Sequence, residues 1–191
     1  MALCLRVELK EKRCAVFGGG AQALRRTKQL LQEGARVVVY SPAFCAEFSQ
    51  LSAECVLQEY RPDCLQGVFF AAAATDSAQV NEQIVQDCTR RGILVISSTS
   101  STSPFHPMAN RPWDGGLVAV SVPSSPALAA RLAQFFADHA QTHYARTAEL
   151  LGQLRQKLLH NAHPQAAEIL RQAAKQSDQQ IEHLLKGEDT P

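Results

Sequence analysis

The residues with the clearest chemical meaning form a glycine-rich loop near the start of the chain. Residues 16–23 read VFGGGAQA, and Gly18, Gly20 and Ala23 fit the pattern G-x-G-x-x-G/A. In this pattern the first glycine permits a tight turn, the second lets the backbone approach a diphosphate, and the third position keeps the following helix close to the preceding strand. The N-terminus of that helix adds unpaired N–H groups. The loop therefore predicts a dinucleotide site, with a plain tight turn as the alternative.

A second feature concerns the ribose of such a dinucleotide. An acidic residue is expected about 20 residues further on, at the end of the second strand, where it would bond a ribose hydroxyl. Here that place reads Tyr40-Ser41-Pro42. It holds neither a carboxylate nor an arginine that would favour a 2′-phosphate. Because Ser41 can still bond the ribose, the sequence favours NAD over NADP by a small margin.

Cysteine and histidine show no spacing typical of a metal or redox site. The six cysteines include no C-x-x-C pair. We interpret them as small buried side chains of a protein in a reducing compartment, with a metal cluster built from distant cysteines as the alternative. His139 and His143 lie one helical turn apart, but no third ligand is close in the sequence. We therefore predict no metal site.

The composition limits the class of protein. With 191 residues, 46% hydrophobic and 19% charged, the chain is long enough for one sizeable core and an appendage. The 19 basic residues balance the 18 acidic ones, so electrostatics gives no reason to expect a nucleic-acid partner. No apolar run approaches the roughly 20 residues of a membrane span, and the first ten residues alternate instead of forming the apolar block of a signal peptide. We expect a soluble cytoplasmic protein.

The pattern of apolar residues predicts an α/β fold for the first part of the chain. Short apolar runs predict strands, and longer periodic stretches predict helices. Strands that alternate with helices are typical of a Rossmann-like, doubly wound parallel sheet. The predicted strands are 14–17, 36–40, 55–57, 68–73, 93–96 and 117–122, and the predicted helices are 21–33 and 77–91.

The composition changes near residue 140, where the aromatic residues become scarce. Pro126 after Ser125 suits the first position of a helix with a serine cap. The helical pattern continues to Leu158, residues 161–164 break it, and one last helix is expected beyond. We therefore predict an NAD-binding Rossmann domain at 1–113, a dimerisation segment at 114–140 and a helical C-terminal domain at 141–191. The apolar stripes predict packing within the chain or in a homodimer.

Several stretches together resemble one protein family. Residues 18–26 combine three glycines with Arg-Arg, residues 74–81 combine Ala-Thr-Asp with Val-Asn, and residues 125–132 read SPALAARL. The set resembles precorrin-2 dehydrogenase, the N-terminal module of siroheme synthases, over residues 1 to about 140. The helical tail is similar to the dimerisation and helical domains of that family.

The resemblance implies a NAD-dependent oxidoreductase of siroheme biosynthesis. Precorrin-2 would lose two hydrogens, with a hydride passing to NAD, to give sirohydrochlorin, and some members also insert ferrous iron or cobalt. The protein would position the ring and handle a proton. Asp76 is predicted to cap the helix that follows it. The implied cofactor-binding residues are Gly18, Gly20, Ala21 and Gln22 along the diphosphate, Ser41, Pro42 and Ala43 by the adenosine ribose, and Ala74 and Thr75 in the cleft.

The chain departs from this family in the loop after the fifth predicted strand. Many members carry an aspartate there, whereas residues 97–103 read SSTSSTS, and the nearest alignment puts Thr99 or Ser103 at the aspartate position. A hydroxyl is a poor base near neutral pH, while an imidazole titrates in that range. We therefore predict His106 as the proton acceptor and Ser103 as the other catalytic candidate. The alternative is that solvent takes the proton and His106 is a surface residue.

Two arginines are candidates for binding the substrate, and two alternative functions remain. A tetrapyrrole with many carboxylates needs cations, so Arg111 and Arg131 are predicted to bind it, with solvated surface positions as the alternative. One rival function is a bifunctional enzyme that also inserts ferrous iron. The other is a non-catalytic NAD- or tetrapyrrole-binding relative, which the missing aspartate and the absence of glycine from residues 122–124 would suit.

Overall fold

The computed structural model describes residues 6–99, 103 and 105–186, in two compact units, Met1–Pro107 and Met108–Pro191. The first unit contains a five-stranded sheet in the order β3-β2-β1-β4-β5, in which every neighbouring pair is parallel. The predicted Rossmann-like fold is confirmed. Its strands are β1 (Arg13–Phe17), β2 (Arg36–Ser41), β3 (Glu54–Leu57), β4 (Phe70–Ala73) and β5 (Leu94–Ser97), and its helices are α1 (Ala21–Gln32) and α2 (Ala78–Arg90).

Both faces of this sheet are covered, which explains why its central strands are continuous apolar runs. Successive side chains of β1 point to opposite faces. Cys14 and Val16 join the core on the α1 side, whereas Ala15 and Phe17 join the core on the α2 side. Strand order reverses between β1 and β4. In sheets of this type the crevice at such a switch point, outside the carboxyl ends of the strands, is where ligands bind.

The ends of the helices follow the predicted signals, with one correction. Gly34, at a φ of 72°, lies just beyond α1, and its N–H bonds the carbonyl of Leu31. Asp76 does not cap α2. The cap is Ser77, whose hydroxyl accepts a hydrogen bond from the amide of Val80 at 3.3 Å. Both residues are good caps, and the helix begins one residue later than Asp76 would require.

A buried carboxylate on α2 joins that helix to the loop after β3. Asp87 accepts hydrogen bonds from the Tyr60 hydroxyl at 2.7 Å and from Gln83 at 3.1 Å, and it pairs with Arg90. Burial acts to raise the pKa of Asp87, but these hydrogen bonds outweigh it, so its pKa lies below its ordinary value. Burial and the neighbouring Asp87 raise the pKa of Tyr60, which stays a neutral donor.

Substituting Asp87 with asparagine should make the stability of the protein less sensitive to acid. Because the folded state holds Asp87 at a lowered pKa, its contribution is present above the unfolded pKa of about 3.9 and is lost as the pH falls through the folded value. Asp87→Asn should reduce the free energy of unfolding by about 1–2 kcal/mol at neutral pH, with the difference shrinking below pH 4. Urea unfolding at several pH values measures this. Asp63→Asn, on an exposed side chain, is the control, and equal acid sensitivity of wild type and Asp87→Asn would contradict the prediction.

The second unit corrects two predicted elements. The predicted sixth strand, here β7 (Gly116–Val120), is outside the parallel sheet and pairs antiparallel with a strand that the sequence did not predict, β6 (Ala109–Trp113). Asp114 and Gly115 connect the two, a dipeptide typical of short hairpins. The sequence did not predict β6 because it contains Pro112, and a proline inside a run of residues argues against a strand. The single last helix expected is in fact two, α4 (Ala166–Ala173) and α5 (Asp178–Lys186).

One long helix, α3 (Pro126–His160), dominates the second unit. Ser125 caps it as predicted, accepting a hydrogen bond from the amide of Leu128. The helix is continuous across residue 140, and residue 113 is the last residue of β6. The first part of α3 buries alanines, and the second part packs against α4 and α5 through buried leucines. These residues are Ala129, Ala133 and Ala137, followed by Leu150, Leu154 and Leu158.

The described part of the chain has no membrane-spanning helix and no disulfide. None of its helices combines the length and the apolar character needed to cross a bilayer. Its five cysteines are free. Burial raises the pKa of Cys14 to about 11 and that of Cys88 to about 12, so both thiols stay protonated and unreactive at neutral pH. Cys55 is exposed and departs from the buried interpretation.

Candidate functional site

The three predicted cofactor segments meet at the carboxyl edge of the sheet. Gly18 follows β1 at a φ of 120°, and a Cβ built there would lie 2.3 Å from the carbonyl oxygen of Ala74, beyond β4. A Cβ on Gly19 would lie 1.8 Å from the carbonyl oxygen of Ala43, beyond β2. Real Cβ atoms never approach this closely, so both positions require glycine. The glycine loop therefore packs between the segments that follow β2 and β4, at the switch point of the sheet.

Gly20 differs from the two glycines before it. It is exposed at the N-terminus of α1 with an ordinary extended backbone, and a Cβ there would meet nothing within 4 Å. The first intrahelical hydrogen bond runs from Leu24 to Gly20, so the amides of Ala21, Gln22 and Ala23 have no helical partner. The protein's own packing does not need glycine at position 20. An open cradle of amides without a side chain over it fits a diphosphate.

The last residue of β2, Ser41, holds the loop that follows this strand. Ser41 is 6% exposed, and its hydroxyl donates to the carbonyl of Ala43 at 2.7 Å. The Cys45 amide donates to the Gly19 carbonyl at 2.9 Å, which ties this loop to the glycine loop. Because the single proton of Ser41 is already used, the hydroxyl can only accept a hydrogen bond from a ribose. Pro42 and Ala43 are exposed beside it.

The loop after β4 is held by a buried asparagine of α2 to which the sequence analysis gave no role. Asn81 on α2 is fully buried, and its side-chain oxygen accepts from the Thr75 amide at 3.0 Å and from the Thr75 hydroxyl at 2.8 Å. Its side-chain nitrogen donates to the Thr75 carbonyl at 3.0 Å and to the Thr99 hydroxyl at 2.9 Å. The segments after β4 and β5 are thus joined by one side chain.

One feature of the sequence could have indicated the structural role of Asn81. It lies in the second turn of α2 on the face that carries Ile84, Val85 and Cys88, all of which are buried. Asparagine is a poor helix former and is seldom fully buried. Such a residue on the apolar face of a helix indicates a specific polar partner.

The two predicted catalytic residues lie in different environments. Ser103 is 3% exposed, and its hydroxyl lies within hydrogen-bond distance of two backbone carbonyls that compete for its single proton, those of Val95 at 2.8 Å and Phe105 at 3.1 Å. These contacts favour a role in anchoring the segment that leads to His106. His106 itself is exposed. Neither residue is joined by a hydrogen bond to the glycine loop within the described part of the chain, and the catalytic role of each stays a prediction.

The two arginines predicted to bind substrate lie in the second unit. Arg111 on β6 donates to the Gln134 side chain at 2.8 Å and to the Asn110 carbonyl at 2.8 Å. Arg131 is exposed on α3, one turn before Gln134, so the two cations belong to one region of this unit. Both residues are exposed, and their binding role stays a prediction.

The rings of His139 and His143 lie with their centroids 4.4 Å apart on α3, tilted by 41° to one another. Among the residues that the structure describes, no group of three or more His, Cys, Asp or Glu side chains is arranged to hold a metal ion.

Comparison with known proteins identifies relatives by sequence. A family model described as putative NAD(P)-binding matches residues 5–104. The chain is 39% identical to a siroheme synthase of Chromobacterium violaceum over 93 residues, 47% of this chain and 20% of that protein. It is 32% identical to the siroheme synthase of Photobacterium profundum over 160 residues, 79% of this chain and 34% of that protein. The chain thus spans about a fifth to a third of the length of these siroheme synthases.

This chain covers a larger share of one shorter relative and of one solved structure. The chain is 30% identical to the precorrin-2 dehydrogenase of Bacillus subtilis over 131 residues, 54% of this chain and 81% of that protein. The solved structure of SirC, a precorrin-2 dehydrogenase, superposes with a TM-score of 0.67 at 22% identity, covering 97% of this chain and 100% of that one. At this identity the superposition supports the fold.

Proposed function

The chain belongs to the precorrin-2 dehydrogenase family, with its putative NAD(P)-binding region at residues 5–104, and from this membership we propose that it oxidises precorrin-2 to sirohydrochlorin with NAD. The observation that carries the proposal is the open amide cradle at Gly20. Gly20 lies between Gly18 and Gly19, whose positions leave no room for a side chain, and the N-terminus of α1. NAD, when bound, supplies the hydride acceptor. The protein's part is to bind, orient and move a proton.

Each segment of the carboxyl edge has a separate task in this proposal. Gly20, Ala21 and Gln22 hold the diphosphate through backbone amides and the positive end of α1. Gly18, whose amide donates to the Tyr40 carbonyl at 2.9 Å, lines the same site through its turn. Ser41, Pro42 and Ala43 border the adenosine ribose, and Ala74 and Thr75 line the cleft between β1 and β4. No carboxylate lies in the first turn of α1, so nothing on that turn repels the phosphates.

The decisive assay incubates the purified chain with precorrin-2 and NAD and follows NADH and sirohydrochlorin by absorbance. Stoichiometric formation of both supports the proposal. Added ferrous iron tests the bifunctional alternative, which requires siroheme to form above the non-enzymatic rate. Binding of NAD and sirohydrochlorin without turnover would replace the proposal with the non-catalytic alternative, which the residues SSTSSTS at 97–103 keep open.

The catalytic proton is assigned to His106 in this proposal. Its exposed side chain carries an imidazole, whose unprotonated nitrogen can accept a proton. His106→Ala should lower kcat about 100-fold while leaving the affinity for NAD unchanged. The measurement is the rate of sirohydrochlorin formation under saturating substrates. His160→Ala, on an exposed histidine at the end of α3, is the matched control. An unchanged rate in His106→Ala would remove the residue from the mechanism and leave the proton to solvent.

Ser103 and the two arginines have supporting roles. The buried hydroxyl of Ser103, within hydrogen-bond distance of two backbone carbonyls, would hold His106 in place. Arg111 and Arg131 would attract the carboxylates of the tetrapyrrole, Arg111 from an orientation fixed by Gln134. Their loss would raise the KM for precorrin-2 more than it lowers kcat.

We further propose a cytoplasmic homodimer. The first half of α3 exposes large apolar side chains, with Leu128 at 41%, Phe135 at 61% and Phe136 at 48% exposed. Such a concentration on one helix is typical of a protein interface. Free cysteines in the described part of the chain suit a reducing compartment. Sedimentation equilibrium of the purified chain tests the dimer directly.

A further inference from the structure

The orientation of the Asn81 amide is dictated by the backbone of one neighbour. The Thr75 amide can only donate and the Thr75 carbonyl can only accept. The Asn81 side-chain oxygen must therefore face the amide, and its nitrogen must face the carbonyl, in agreement with the two 3.0 Å hydrogen bonds. The second proton of that nitrogen points at the Thr99 hydroxyl oxygen, 2.9 Å away. Asn81 therefore uses all of its hydrogen-bonding capacity.

This arrangement determines what the Thr99 hydroxyl can do. Because its oxygen accepts from Asn81, its own proton must be directed elsewhere. Among the hydrogen bonds of the described residues, the Thr99 hydroxyl donates to no protein oxygen. Other hydroxyls at this edge of the sheet do donate to protein oxygens: Ser41 to Ala43, Thr75 to Asn81, Ser98 to Ala73 and Ser103 to Val95. Thr99 is exposed, so its proton is available to a ligand.

We propose that Asn81 is a positioning residue that makes Thr99 the hydrogen-bond donor for a carboxylate or carboxamide oxygen of a ligand bound at the ends of β4 and β5. The inference deepens the proposed function and rests on it for the identity of the ligand. A carboxylate would come from the tetrapyrrole, and a carboxamide oxygen from the nicotinamide. In either case Asn81 acts through Thr99, and Thr99 touches the ligand.

The first arm of the test replaces the hydroxyl. Thr99→Val keeps the shape of the side chain but removes the donor, and Thr99→Ser keeps the donor. Thr99→Val should weaken binding about tenfold, the effect of losing one hydrogen bond to a polar or charged acceptor, and Thr99→Ser should restore most of it. Binding is measured as the KM for precorrin-2, and separately by titrating NADH fluorescence and sirohydrochlorin absorbance. A change confined to NADH assigns the carboxamide, and a change confined to the tetrapyrrole assigns the carboxylate.

The second arm tests the positioning role of Asn81. In Asn81→Asp the nitrogen becomes an oxygen that cannot donate to Thr99, so the Thr99 proton should turn inward and binding should fall by the same factor as in Thr99→Val. The double variant should lose no more than either single variant, because both remove one interaction. If Asn81→Asp lowers the Tm below the assay temperature, Asn81→Ser, whose side chain is too short to reach Thr99, takes its place.

Thr142→Val is the control, since its hydroxyl bonds its own helix at Asp138. Wild-type KM and titration curves in Thr99→Val would overturn the inference, and additive losses in the double variant would overturn the role of Asn81. A wild-type protein that forms no NADH from precorrin-2 would overturn the proposed function instead. The two titrations with Thr99→Val would still decide this inference, because they need no turnover.

Discussion

Gly20→Asp should abolish NAD binding while leaving the protein folded. A Cβ at this position meets no protein atom within 4 Å, and aspartate is a favourable residue at a helix N-cap, so the Tm should stay the same or rise slightly. The new carboxylate would lie where the diphosphate is proposed to bind. Placing like charges together costs several kcal/mol, which corresponds to a loss of affinity of at least about 100-fold. Titration calorimetry with NAD, alongside thermal unfolding, measures both effects.

Gly20→Asn separates charge from bulk in this experiment. Asparagine has nearly the shape of aspartate and also caps helices well, but it carries no charge. It should weaken NAD binding by less than Gly20→Asp, with the same Tm. Wild-type affinity in Gly20→Asp would contradict the assignment of the loop to a diphosphate.

Gly18→Ala should instead destabilise the fold itself. The backbone of Gly18 has a φ of 120°, and an added Cβ would lie 2.3 Å from the Ala74 carbonyl oxygen. Backbone strain and overpacking each cost about 1–3 kcal/mol. Since β1 and β4 are paired along their length, they cannot separate to relieve the contact. We expect the free energy of unfolding to fall by about 2–4 kcal/mol, measured by urea denaturation, with NAD affinity reduced as well.

Gly92→Ala is the matched control for Gly18→Ala. Gly92 also has a positive φ, 68°, but a Cβ there meets nothing within 4 Å. Only the backbone cost of about 1 kcal/mol is expected. If Gly18→Ala and Gly92→Ala lost equal stability, the packing of the glycine loop against Ala74 would not be what holds the loop in place.

The sequence was sufficient for the parallel sheet because its signals are local. The apolar runs of β1 and β2 and the glycines between strand and helix each depend on a few adjacent residues. All five strands of the parallel sheet were predicted within a few residues of their observed ends. In this unit the predicted cap Asp76 was wrong, because Asp76 and Ser77 are both favourable caps and the sequence alone does not rank them.

The second unit was harder to predict because the sequence of a strand does not show which strand it pairs with. The strand β6 contains Pro112 and few apolar residues, so nothing in its periodicity marks a strand. Its partner β7 carries a clear signal, but the signal cannot say which strand lies beside it. In a sequence of alternating strands and helices, β7 was therefore assigned to the main sheet.

The site was predictable where it depends on the backbone and less so where it depends on side-chain partners. The glycine pattern predicted the loop after β1, the expected ribose position pointed to Ser41, and the family resemblance implied the segment at Ala74 and Thr75. The structure brings these three segments together. Asn81 was recognised only as part of a family pattern, because its role depends on Thr75 and Thr99, which folding brings to it from two different loops. In the same way, Ser41 could be expected to face a ribose, but its hydrogen bond to Ala43 depends on the conformation of the loop.

Titration calorimetry of the purified wild-type chain with NAD and with NADP tests the central claim most directly. If the amides beyond β1 hold a diphosphate, NAD should bind at one saturable site per chain, and precorrin-2 and NAD together should yield NADH. The absence of heat with either nucleotide, from a sample that unfolds in one cooperative transition, would contradict the account.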